Sequence, residues 1–113
     1  MDQKGYATSN GVTALKNLIA KTNAPIVDHL MDAGAVFVGR TNTPEFSFRA
    51  DTENPLYGRT NNPWGKHLSA GGSSGGASSA VMAGMCTLAH GNDIGGSLRF
   101  PSVATGAVTL KLA

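Results

Sequence analysis

A chain of 113 residues is close to the usual size of one domain and can enclose only a modest core. Nine basic against seven acidic residues give a net charge of +2, with the basic residues scattered, and this excludes a nucleic-acid binder built on a basic patch. A single cysteine, Cys86, excludes an intramolecular disulfide and fits a reducing, cytoplasmic setting, and no apolar run approaches the ~20 residues of a membrane helix.

The N-terminus is polar and lacks a signal-peptide pattern, and residues 1–11 read as loop closing on a Ser9-Asn10-Gly11 turn. Apolar positions 12, 15, 18 and 19 predict a short helix over 12–21. Asn23 is a cap for a second helix, with Pro25 in its first turn, Ile26, Val27, Leu30 and Met31 at helical spacing, and Gly34 as its stop. Residues 35–39 (Ala-Val-Phe-Val-Gly) predict a short buried strand, so helix and strand together form an αβ unit. Thr43-Pro44-Glu45-Phe46 starts a helical turn. Residues 51–72 show no periodicity but carry the turn formers Asn54-Pro55, Asn61-Asn62-Pro63 and Trp64-Gly65. A loop of this length inside a compact domain usually serves function. Residues 74–85 read as a helix whose Ala77, Ala80, Val81 and Gly84 form a close-packing face. A second strand follows over 86–90, with Cys86 as a buried, inert thiol. Residues 97–103 make a helical turn, and 107–112 alternate like a strand interrupted by the chain end. The fold expected is a single α/β domain over 1–113: a layered mixed sheet with flanking helices.

Seven of the fifteen glycines gather in two clusters, 71–76 and 91–96, each beside apolar segments. Glycine placed this way marks backbone that takes positive φ or approaches something closely. Ser73 and Ser97 stand in these clusters, twenty-four positions apart. In Gly95-Gly96-Ser97, successive N–H groups can converge beside a hydroxyl, with the donors of a following helix start added. These are the parts of a nucleophile and its oxyanion hole. The same residues also read as an Asx turn or an N-cap serine. Gly72-Ser73-Ser74-Gly75-Gly76 is formally a G-x-S-x-G elbow centred on Ser74, but no convincing strand precedes it. As a phosphate cradle it lacks the Gly-Lys-Ser/Thr ending.

The two clusters gain meaning together with the rest of the chain. Pro25-Ile26-Val27 with Leu30, Gly34-Ala35-Val36, residues 39–46 (Gly-Arg-Thr-Asn-Thr-Pro-Glu-Phe), Asn54 to Gly58, Asn62-Pro63-Trp64, the Gly-Gly-Ser-Ser-Gly-Gly block and residues 91–101 (Gly-Asn-Asp-Ile-Gly-Gly-Ser-Leu-Arg-Phe-Pro) follow one another in an order and spacing that resembles the amidase signature family of serine hydrolases. The resemblance covers nearly the whole chain. It implies a Ser–cis-Ser–Lys triad, in which Ser97 is the nucleophile and Ser73 the bridging serine, joined to Gly72 by a cis peptide. It also implies an oxyanion hole made by the N–H groups of Ile94, Gly95, Gly96 and Ser97, with Gly72, Ser74, Asp93 and Arg99 in support. A hydroxyl can accept one proton while donating another, which suits a relay. The base at its end is a neutral lysine. The implied reaction is hydrolysis of a small-molecule carboxamide, or an ester in its place, through an acyl-serine, with no cofactor.

The family's lysine element lies just ahead of the segment resembling Asp2-Gln3-Lys4-Gly5, so the expectation is a partial domain that lacks this lysine and the C-terminal part. Lys4 is the nearest candidate base; Lys16, Lys66 and Lys111 match no better. Three alternatives to a working hydrolase follow: an inactive fragment, the amidase subunit of a larger amidotransferase, or an assembly module. Exposed strand edges would pair and give a homodimer or larger species. Asp93 and Arg99 bracket Ser97, and a mutual contact that stiffens the loop is the favoured reading over substrate binding. His90 has no acidic partner in a Ser-His-Asp order and reads as structural. His29, His67 and Cys86 lack ligand spacing, so no metal is expected. Tyr57, Trp64 and Phe100 read as loop anchors.

Overall fold

The first helix begins where its sequence allows. Ala24 is extended at the N-cap, and Pro25 opens α1 (Pro25–Asp32), where a missing N–H costs nothing. Asn23 is not the cap; its amide donates to the Asp28 carboxylate at 2.7 Å, while its oxygen accepts the Lys4 N–H, also at 2.7 Å. Val27 is the one side chain of α1 that is fully buried. This computed structural model describes residues 1–112. The expected helix over 12–21 shrinks to a single 3-10 turn, Thr13–Leu15, and another such turn spans Glu45–Ser47.

The interval 51–72 is more ordered than its sequence suggests. A minimal antiparallel hairpin forms from β1 (Glu53–Asn54) and β2 (Gly58–Arg59), with Glu53 opposite Arg59. Asn54 builds the turn, because its side-chain oxygen accepts the N–H groups of Leu56 at 3.0 Å and Tyr57 at 2.7 Å. Asn62 works likewise, its side-chain oxygen accepting the Trp64 N–H at 2.9 Å, while its amide donates to the carbonyls of Ser69 (2.7 Å) and Ala104 (2.8 Å). Trp64 anchors from the other side, its indole N–H donating to the Thr105 carbonyl at 2.6 Å.

Two short helices carry the glycine clusters. Helix α2 (Gly75–Met82) packs on α3 (Arg99–Thr105). Glycines allow close approaches on both sides: a Cβ on Gly71 would collide with the Pro101 backbone of α3, one on Gly76 with the Asn42 backbone, and one on Gly75 with the Thr52 hydroxyl. Helix α3 ends on Gly106, whose φ of +81° suits glycine at a left-handed cap. The apolar core is correspondingly small: Ala20, Val27, Ala70 and Ala77, joined by the buried Thr52, Thr105, Pro44 and Pro101.

The layered sheet is represented by the hairpin alone among the described residues, within a partial α/β core. Residues 35–39, 86–90 and 107–112, each expected as a strand, enter no ladder among the described residues. A strand needs a partner, and helices separate these segments, so none has a local one. Their apolar side chains remain outside: Val36 is 85% exposed, Leu88 87% and Val108 101%. Cys86 is half-buried rather than enclosed. The accessible surface is 7341 Å², against about 5,800 Å² expected for a folded monomer of this mass.

Candidate active site

Ser73 sits in the most enclosed stretch of the chain. Every residue from Gly71 to Ala77 is buried, and Ser73 retains 2% of its surface. The Gly72–Ser73 peptide is cis, as the family resemblance implied. A Cβ on Gly72 would strike the Arg49 carbonyl oxygen, so the backbone of 49–51 lies directly against it. Thr52, with no exposed surface, donates its hydroxyl to the Gly71 carbonyl at 2.8 Å and accepts the Gly75 N–H at 3.1 Å. The Ser73 carbonyl lies 3.4 Å from the Thr52 hydroxyl and 3.5 Å from that of Thr43.

The second glycine cluster folds around one carboxylate. Asp93 Oδ1 accepts the Gly96 N–H at 2.7 Å, and Oδ2 accepts those of Leu98 at 3.1 Å and Arg99 at 3.2 Å. The Arg99 guanidinium closes a two-pronged contact, Nε to Oδ2 at 3.0 Å and Nη2 to Oδ1 at 2.9 Å. The Asp93 side chain is shut off from solvent, while Arg99 is 60% exposed. The Arg99 guanidinium holds the Asp93 carboxyl well below the usual carboxylate range against its desolvation, with help from the N–H groups of Gly96, Arg99 and Leu98. In return, Asp93 raises Arg99. The expected loop-stiffening contact is thus present, and the N–H groups at the start of α3 serve Asp93 rather than a ligand.

Ser74 joins the two clusters. Its N–H donates to the Ser97 carbonyl at 3.0 Å; its hydroxyl accepts the Asn92 N–H at 3.2 Å and lies 3.3 Å from the Asn92 carbonyl. Glycine at 91 permits this closeness, since a Cβ there would stand 2.8 Å from the Ser74 hydroxyl. The loops bearing Ser73 and Ser97 are therefore neighbours, with Ser97 half-buried at their junction. Of the four N–H groups expected to face an oxyanion, that of Gly96 is taken by Asp93. Those of Ile94, Gly95 and Ser97 have no protein acceptor among the described residues. An open cavity of about 420 Å³ lies alongside, lined by Gly71, Gly95, Gly96, Phe100, Val103 and Ala104.

The other expected residues stay apart. No lysine side chain hydrogen-bonds to Ser73 or Ser97 among the described residues; Lys4, Lys16 and Lys66 are exposed, and Lys111 reaches only the Leu112 carbonyl. Partial burial, and then the positive chain terminus, lower His90, for which no hydrogen bond to Ser73 or Ser97 exists among the described residues. No metal-binding cluster exists among the described residues, and no helix is long and apolar enough to cross a membrane. Thr52 carries no signal in the sequence, and Asn42 and Thr43 are legible there only as parts of the 39–46 motif. Asn54, legible as a turn former, also donates to the Asn42 side chain and the Thr43 carbonyl, each at 2.7 Å.

Two serine loops thus lie side by side, joined through Ser74, and comparison with known proteins supplies the family of the chain. The Amidase family model matches residues 1–111, and the chain belongs to that family. It is 57% identical over 111 residues to an indoleacetamide hydrolase of Bradyrhizobium diazoefficiens, covering 98% of this chain and 21% of that protein. To a glutamyl-tRNA(Gln) amidotransferase subunit of Salinibacter ruber it is 42% identical over 108 residues, 96% of this chain and 21% of that one. Among solved structures, 6-aminohexanoate cyclic dimer hydrolase complexed with substrate superposes with a TM-score of 0.90 at 37% identity, over 93% of this chain and 22% of that one. The chain thus spans about a fifth of the length of these relatives.

Proposed function

We propose that this chain carries the serine pair of an amide hydrolase, acting on a small carboxamide, with an ester as a substitute substrate. Ser97 Oγ attacks the carbonyl carbon as its proton passes to Ser73 Oγ and the Ser73 proton passes to a neutral lysine amine. The N–H groups of Ile94, Gly95 and Ser97 receive the developing oxyanion. Collapse breaks the C–N bond, the returned proton leaves on ammonia or an amine, and water then cleaves the acyl-Ser97 ester. Lys4, whose side chain is exposed, is one candidate for this lysine base, and a lysine of a second chain is another. The single observation that carries this reading is the Ser74 N–H bond to the Ser97 carbonyl, which fixes the two serine loops against each other. Hydrolysis of an activated aryl ester, with a named lysine variant beside the parent, tests it. Turnover should vanish in Ser97→Ala and fall in the lysine variant, and an unchanged rate in Ser97→Ala would overturn it.

A second reading is favoured by the excess surface: the chain works as part of an assembly, as a homodimer or as the amidase part of an amidotransferase. Residues 36–39, 87–90 and 107–112 offer exposed apolar side chains and backbone that enters no ladder among the described residues, features that invite pairing with another chain. Light scattering at high concentration should then show a dimer or larger species. A clean monomer would count against self-association.

A further inference from the structure

We infer that Thr52 is the positioning residue for Ser73, acting through the backbone of the Gly71–Gly75 loop; its link to catalysis rests on the proposed serine pair. The Thr52 hydroxyl stands inside the loop and meets both of its ends, donating to the Gly71 carbonyl at 2.8 Å and accepting from the Gly75 N–H at 3.1 Å. The Ser73 carbonyl is also within its reach, at 3.4 Å. One hydroxyl can satisfy both ends because it is donor and acceptor at once, a combination no apolar side chain supplies. Thr52 itself is held in place. It is wholly buried, its own N–H donates to the Asp51 carboxylate at 3.1 Å, and its carbonyl accepts the Thr60 N–H at 2.9 Å. Glycine at 75 is what lets the loop come this close, since a Cβ there would overlap the hydroxyl. The direction in which Ser73 presents its side chain is thereby tied to a side chain twenty-one residues earlier.

Two variants separate positioning from bulk. Thr52→Val keeps the shape and leaves the Gly71 carbonyl and Gly75 N–H without a partner. Thr52→Ser keeps the hydroxyl and loses a methyl. With an alkyl fluorophosphonate as probe of Ser97, the valine variant should lose about 10- to 100-fold in the maximal modification rate, with the half-saturating probe concentration unchanged. The serine variant should recover to within about threefold of the parent. A valine variant that labels like the parent, or a serine variant as slow as valine, would overturn the assignment. Amide hydrogen exchange on the same proteins gives a readout independent of chemistry. Exchange at Gly75 should quicken and the Ser73 resonances should shift in Thr52→Val but not in Thr52→Ser; unchanged signals in the valine variant would also overturn it. A parent chain that takes up no probe at Ser97 would sink the serine-pair reading instead, and exchange at Gly75 would then decide the role of Thr52.

Discussion

The two glycine clusters and the three apolar segments obey opposite rules. Around Ser73 and Ser97, most of the loop bonds are made within the chain, the N–H groups of Ile94, Gly95 and Ser97 excepted: Thr52 serves one loop, Asp93 the other, and Ser74 ties them together. Along residues 36–39, 87–90 and 107–112, no backbone–backbone bond forms among the described residues, and valines and leucines face outward. Loop hydrogen bonding can thus be well ordered where no sheet forms. Loop geometry of this kind is set by hydrogen bonds inside the signature itself, whereas strands take their definition from a neighbour.

That contrast can be broken first at Asp93. Asp93→Ala removes the acceptor for three backbone N–H groups and for Arg99. Fluorophosphonate modification of Ser97 should fall by about 100-fold or more. Arg99→Lys, which replaces a two-pronged contact with a single point charge, should cost about tenfold. Circular dichroism on each variant verifies that the helices persist. A loop that reacts normally without Asp93 would show that its bracing is ornamental.

Next comes Gly76→Ala. The added methyl meets the Asn42 backbone, which cannot swing away as a side chain could. Overpacking of this kind costs about 1–3 kcal/mol, and thermal unfolding should register it as a lowered midpoint. Gly84, whose Cβ position is open but whose φ is +71°, supplies a contrast in which strain acts without collision.

The apolar segments should respond differently. Val108→Lys places a charge on an exposed side chain of a segment outside any ladder. It should shift a dimer toward monomer in light scattering while leaving the unfolding midpoint within ~0.5 kcal/mol of the parent. A large loss of stability would mean that this segment contributes to the internal core after all.

The smallest effect concerns pH. Because the folded Asp93 carboxyl is depressed, its contribution to stability is fully present above the unfolded value of 3.8 and is lost only as pH falls through the lower folded value. The Gly96 and Arg99 amide signals should therefore remain unchanged from neutral pH down to about pH 4. A transition in these signals near pH 5 would contradict the bracing.

Much of this site could be read from residue order, and much could not. Ser73, Ser74, Asp93, Ser97 and Arg99 stood out because glycine-flanked serines and a bracketing ion pair are local patterns. Thr52 left no such mark, since a buried threonine nineteen residues from its Gly71 partner resembles any other threonine in a loop. Asn54 was visible as an Asn-Pro turn, but its reach to Asn42 and Thr43 was not. The same distance dependence explains the strands. Alternation in 107–112 and the apolar run in 35–39 describe what those segments are suited to pair with, and pairing is decided elsewhere. Helix α3 was half legible: its start near Ser97 was expected, while its extension to Thr105, capped by Gly106, follows from the Thr105 hydroxyl turning back to the Pro101 carbonyl at 2.9 Å.

Site mapping of the fluorophosphonate adduct by mass spectrometry, in the parent and in Ser73→Ala, puts the paired-serine account at most direct risk. The account predicts modification confined to the peptide bearing Ser97 and lost when the Ser73 hydroxyl is removed. Adduct on another serine, or undiminished labelling of Ser97 without that hydroxyl, would contradict it.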